Sequence, residues 1–188
     1  MSVSASDTPS AGYLATIRVI DKFTEVSGLV FAVIVVPLII ANTYEVISRY
    51  VFGLPTEWAL DVTTQSYAAL FMLGAPYALL KGAHVRTDML WERFSDRAKG
   101  MIDGIAFAVL FLPTMAVLVY MSYDDFLYAL SINERSNTTS WQPIIWPLRA
   151  VIPLSCALMF IQGISELMKS FHAARTGRFL VHHEKIEI

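Results

Sequence analysis

The chain has 188 residues, of which 55% are hydrophobic and 16% charged, and its net charge is −2. The charged share falls well below the roughly 25% of an ordinary soluble domain, and the apolar residues cluster in long uncharged runs, which argues against a water-soluble fold. There is no global basic field to suit a nucleic acid, and the single cysteine, Cys156, excludes an internal disulfide framework and a multi-cysteine metal site.

Residues 1–12 are rich in Ser, Ala and Thr and contain no Lys or Arg. They lack the pattern of a cleaved signal peptide and are expected to form a disordered arm. From Tyr13 to Phe23, apolar Tyr13, Ile17, Ile20 and Phe23 recur at near-helical spacing beside Arg18, Asp21 and Lys22. This is either a short helix lying in the membrane interface or an extension of the first span.

Charges bracket the spans. Nineteen uncharged residues separate Glu25 from Glu45, another 19 separate Asp61 from Lys81, and 20 separate Asp103 from Asp124. A bilayer core needs about 20 apolar residues in a helix. The gap from Arg149 to Glu166 holds only 16. It becomes a full span if the helix starts near Pro143 or Trp146, with Arg149 one turn inside, snorkelling outward or facing a partner. The expectation is an all-α integral membrane protein with four transmembrane helices, over about residues 26–47, 58–80, 102–123 and 144–168, followed by a cytoplasmic tail over 171–188. Each span carries one proline, Pro37, Pro76, Pro113 or Pro153, which removes a backbone hydrogen bond and shapes the helix. Eleven Lys and Arg residues fall on the side that holds both termini and the connection between spans two and three, against Arg49, Arg135 and Arg149 on the other. That bias places both termini in the cytoplasm.

The polar residues sit near the span ends. Asn42, Glu45 and Arg49 share one helix face, and Glu45 with Arg49 forms an i, i+4 pair in the favourable order. The pair serves as an intrahelical salt bridge, as a contact for another polypeptide, or as both. Gly53 and Pro55 stop the first helix, Thr56 has the character of an N-cap for the second, and Glu57 suits its first turn. Trp58 fits the headgroup level. Asp61 and Gln65 follow at i, i+4. An intramembrane carboxylate invites a functional reading, but Asp61 lies only one turn into its helix, which favours a packing or interface role over proton or ion coupling. Gly100, Gly104 and Ala108 form a small-residue stripe for close helix packing, within the bundle or on a partner. Residues 133–140 read as a polar loop, and Trp141 and Trp146 mark re-entry into the outer interface.

Enzyme and redox readings find no residues to carry them. Of the four histidines, His84 ends span two and His172, His182 and His183 lie in or near the tail, so no axial haem pair falls in mid-membrane. No HExxH, GxSxG, CxxC or Walker-type sequence occurs. No internal repeat suggests a self-sufficient transporter. The residues by themselves describe a four-helix membrane subunit with no catalytic centre and no bound cofactor or metal.

The run from Tyr44 to Asp61, with Arg49-Tyr50-x-Phe52-x-x-Pro55-x-x-Trp58-x-x-Asp61 inside it, resembles the R-Y-x-F-x-x-P-x-x-W-x-x-E stretch of the small permease subunit (DctQ) of tripartite ATP-independent periplasmic (TRAP) transporters. His84-Val85-Arg86-Thr87-Asp88 is similar to that family's H-V-x-x-D after span two. Gly74 falls where the family often has glycine, and Trp141-x-Pro143-x-x-Trp146-Pro147 resembles the start of its fourth span. Asp61 stands where the family usually has glutamate, so its partner must come closer.

The resemblance implies a sodium-driven importer of organic acids in the bacterial cytoplasmic membrane, served by a periplasmic substrate-binding protein. The large permease subunit would carry substrate and sodium, and the small subunit would be its membrane scaffold and help dock the binding protein. Arg49, Glu57, Trp58 and Asp61 would then fix the outer end of the bundle against a partner, and His84, Arg86 and Asp88 would order the inner turn. The alternative is an independent small membrane protein, a channel or the membrane anchor of a redox complex.

Overall fold

The computed structural model describes residues 10–82 and 95–177. Its elements are helical: α1 (Ala11–Ala32), α2 (Val35–Val51), α3 (Glu57–Leu80), α4 (Asp96–Ile105), a π-helical segment (Ala106–Phe111), α5 (Leu112–Ser131) and α6 (Trp146–Thr176). Among the described residues the sole β-type pairing is an isolated antiparallel bridge between Arg135 and Ile144. Three helical stretches are long and apolar enough to cross a membrane, Ala11–Val51, Arg97–Ser131 and Trp146–Thr176. The four-span expectation therefore stands reduced to three helices by this measure. α3 has 24 residues but carries Glu57, Asp61, Gln65 and a run of hydroxyl side chains, which dilute its apolar character.

Helix ends follow from local chemistry. Ser95 caps α4, its side chain accepting from the Ala98 N–H. α5 ends in a Schellman turn: Asn133 sits in the left-handed region (φ 48°), its N–H donates to Leu130 O at 3.3 Å, and the Glu134 N–H donates to Ala129 O at 2.9 Å. Gly53 supplies the positive φ (67°) that turns the chain between α2 and α3. The Leu54 N–H then reaches back to Ser48 O at 3.0 Å, and the Ser48 hydroxyl donates to Leu54 O at 2.5 Å.

Two prolines explain two departures from α-helix. Pro37 has no N–H for the Val33 carbonyl, and the helix is interrupted at Val33 and Ile34 between α1 and α2. The Val33 carbonyl is taken instead by the Val36 N–H at 3.0 Å. Likewise Pro113 lies four residues after Val109, and Val109 falls inside the wide π-helical turn. Pro76 and Pro153 sit inside unbroken helices.

The chain divides into two compact units. One takes in the described chain up to Glu25, from Pro76 to Ala116 and from Leu158 onward; the other takes in Val26–Ala75 and Val117–Ala157. In the first unit α4 crosses α6 with almost no space between them. A Cβ built on Gly100 would lie 2.5 Å from the Ala174 N and 2.8 Å from the Ser170 O, so only glycine fits. At Gly104 the nearest such atom is the Ser170 Cβ, at an ordinary 3.9 Å. Ala108, one more step along this stripe, is exposed. The π-helical turn adds a residue there and rotates the following side chains. It brings Phe111 onto α6 instead, where a Cβ on Gly163 would meet the ring at 2.6 Å.

Candidate functional site

In the second unit the polar residues of the 44–61 stretch form two clusters. Glu45 is shared. Arg49 donates to its Oε1 through Nε at 2.9 Å and Nη2 at 2.5 Å. The Glu45 Oε2 accepts from the Thr56 N–H at 2.9 Å and from the Thr56 hydroxyl. One carboxylate thus closes a helical ion pair and ties the residue preceding α3 to α2. Tyr44 and Trp58 pack across the same turn with ring centroids 5.4 Å apart and planes tilted by 37°. Glu57 and Trp58 are exposed, and the Arg49 side chain keeps 55% of its surface.

Asp61 is 2% exposed, so its carboxylate does not reach solvent within this chain. Its Oδ1 accepts from the Ser136 hydroxyl at 2.8 Å, and its Oδ2 accepts from the Thr139 hydroxyl. Both partners belong to the connection between α5 and α6. That connection folds as a small hairpin-like loop, with the Ser136 N–H on Pro143 O at 2.8 Å and the Ile145 N–H on Glu134 O at 2.9 Å. Arg149 stands in the first turn of α6, pairing with Asp125 at 2.5 Å and Glu134 at 2.9 Å. It bridges α5, the loop and α6.

The first unit holds a buried network that no motif announced. Lys169 donates to Asp21 Oδ2 at 2.9 Å and to Glu166 Oε1 at 2.8 Å. The Gln162 Nε2 also spans both acids, at 3.1 Å from Asp21 and 3.2 Å from Glu166. The Ser165 hydroxyl donates to Asp21 Oδ1 at 2.7 Å, and the Thr24 hydroxyl donates to Gln162 Oε1 at 2.7 Å. The Tyr13 hydroxyl donates to Met168 O. Gln162 and Ser165 are fully buried. Among the described residues no buried side-chain N or O atom lacks a partner, as a desolvated polar interior requires. Beside this network Lys81 pairs with Glu25 at 3.1 Å, and that hydrogen bond holds the ammonium above the ordinary lysine range.

The sequence signal for the network was present. Gln162, Ser165, Glu166 and Lys169 recur at i, i+3, i+4 and i+7, a single polar stripe on α6. Ending the fourth span at residue 168 leaves Lys169 out of that stripe. Of the other site residues, Gly100 and Gly104 face α6 and Ala108 does not. His84, Arg86 and Asp88 lie outside the described residues.

These polar clusters are set among long apolar surfaces. Residues 38–173 match the family model of tripartite ATP-independent periplasmic transporters, DctQ component. The chain belongs to the DctQ family. It is thus a membrane component of a tripartite transporter, and its family is one of transport subunits, not enzymes. DctQ components work with a large permease and a binding protein. The comparisons with curated proteins and with solved structures found no match.

Proposed function

We propose that this DctQ component is the small, multi-pass subunit of a sodium-driven, binding-protein-dependent importer of organic acids in the bacterial cytoplasmic membrane. It is a scaffold for the large permease subunit and helps dock the periplasmic binding protein. Sodium and substrate belong to the partner, and this chain holds no cofactor. α3 makes the fourth crossing: its 24 residues rise roughly 36 Å, and its charges, Glu57 and Asp61, are confined to the outer end. The excess of Lys and Arg on one side puts both termini in the cytoplasm.

One observation supports this reading above the rest. In the most apolar stretches of Ala11–Val51 and Arg97–Ser131, only 6% of residues are buried within the chain. Side chains such as Val19, Leu29, Ile40, Val109 and Tyr120 point outward. A surface of this kind needs lipid or another membrane subunit to cover it, while among the described residues every buried side-chain polar atom has a partner within the chain.

The test is a mild-detergent pull-down of the tagged chain from its own membranes, followed by mass spectrometry. A polytopic partner in near-equal amount is expected. A clean homo-oligomer, or a visible absorbance band from a cofactor, would overturn the scaffold reading and favour an independent membrane protein.

A further inference from the structure

The charges of α1 are distributed unevenly. Its two acidic residues are Asp21 and Glu25. Both are held by lysines from elsewhere in the chain, Asp21 by Lys169 at 2.9 Å and Glu25 by Lys81 at 3.1 Å. Asp21 turns toward α6 with Ile17 and Thr24, the two buried residues of this helix. Arg18 and Lys22, at i and i+4, are exposed on the other side. Among the described residues no acid lies within ion-pair distance of either, although Asp21 follows Arg18 by three positions and Glu25 follows Lys22 by three. Directly beside them, also at i and i+4, Val19 is 68% exposed and Phe23 51% exposed. A pair of uncompensated cations flanked by a pair of exposed apolar side chains matches an amphiphile with an anionic head and a hydrocarbon body.

We propose that Arg18, Lys22, Val19 and Phe23 form a binding surface for an anionic phospholipid, with the two cations on the phosphate and the apolar pair against the first methylenes of the acyl chains. The inference rests on the membrane-subunit reading and adds a ligand to it. A neutral headgroup gives the cations no net charge to meet, and inorganic phosphate gives Val19 and Phe23 nothing to cover. The acids are withdrawn by Lys169 and Lys81, so the surface is specified by the fold and not by α1 alone.

The experiment uses the purified full-length protein in mild detergent, supplemented with phosphatidylglycerol, with phosphatidylcholine or with inorganic phosphate, and reads the unfolding temperature. Phosphatidylglycerol is expected to raise it above phosphatidylcholine, and inorganic phosphate is expected not to. R18Q/K22Q should lose that preference, whereas R135Q should keep it. Equal response of the parent to the two lipids, or a preference retained in R18Q/K22Q, overturns the proposal. If R18Q/K22Q does not fold, the parent decides alone: screening should abolish the preference by about 1 M NaCl, and a preference that survives it overturns the proposal. Co-purification with a large permease is read separately. Its failure with the lipid preference intact sinks only the subunit reading, and the converse sinks only the lipid surface.

Discussion

The Ser155 hydroxyl donates to the Met72 carbonyl at 2.6 Å, and Met72 lies four residues before Pro76 in α3. Pro76 has no N–H to give that carbonyl, so a side chain of α6 supplies the missing donor. Ser155 is buried. S155A should therefore destabilise the protein by about 1–3 kcal/mol, the range for leaving a buried acceptor unmade. In P76A the alanine N–H returns to Met72, and the same S155A change should lose most of its effect. Thermal unfolding of the four proteins of this cycle measures the coupling. Equal effects of S155A on both backgrounds would show that the hydroxyl does not compensate the proline.

The Lys169 network makes an asymmetric prediction. Two carboxylates share one ammonium whose side chain is 8% exposed. Removing the ammonium leaves the buried Glu166 and the partly buried Asp21 uncompensated, and K169M should destabilise by about 3–5 kcal/mol. E166Q removes the surplus acid and keeps a similar shape, so it should be near neutral or stabilising. Unfolding temperatures of the two variants, compared at neutral pH, check the order. A larger loss in E166Q than in K169M would refute this account of the charges.

The extent to which this was legible in sequence depended on whether the signal was local. Helix ends at Gly53 and Pro55, the Glu45–Arg49 pair and the uncharged runs are local, and each is visible in consecutive residues. The two ends of the Asp61 contact are 75 residues apart, and nothing near Asp61 names Ser136. The rephasing of Ala108 was hidden for another reason. A Gly100, Gly104, Ala108 stripe assumes an unbroken α-helical period, and the π-helical turn before Pro113 breaks that period. The α6 stripe was legible, but ending the fourth span at residue 168 left Lys169 outside it.

At the crossing of α4 and α6, two glycines that look alike in sequence should behave differently. A Cβ at Gly100 meets backbone atoms from 2.5 to 2.9 Å away, and backbone cannot rotate aside. G100A should destabilise by about 1–3 kcal/mol through forced separation of the helices. G104A meets only ordinary contact at 3.9 Å and should be tolerated. Unfolding temperatures or protease resistance of the two variants will tell, and equal tolerance of both would mean the helices sit farther apart.

Glu45 and Arg49 are separable because Glu45 has two partners and Arg49 one. R49A leaves Glu45 bound to Thr56, and an exposed i, i+4 pair contributes little. E45A loses both contacts and loosens the α2–α3 turn, so it should be the more destabilising. Measured together with co-purification, this isolates any interface role. If R49A is as stable as the parent but no longer recovers the large subunit, Arg49 acts at a subunit contact. Normal recovery and normal uptake would confine it to the helix.

Asp61 offers the sharpest test of what holds the loop between α5 and α6. D61A removes both acceptors, leaving the hydroxyls of Ser136 and Thr139 without the carboxylate that positions them. D61N keeps one acceptor and places an NH2 group, itself a donor, where the second stood. The expected order of destabilisation is D61A above D61N, with D61A costing about 1–3 kcal/mol for the broken buried contacts. The effect should be local: faster backbone hydrogen exchange across residues 133–145, with α6 beyond Arg149 little changed, because Arg149 keeps its own bonds to Asp125 and Glu134. Uniform loosening of the whole chain would mean Asp61 supports more than this loop. Unchanged exchange in the loop would mean that the hairpin bonds of Ser136 and Ile145 suffice to hold it, and that the buried carboxylate is kept for another purpose.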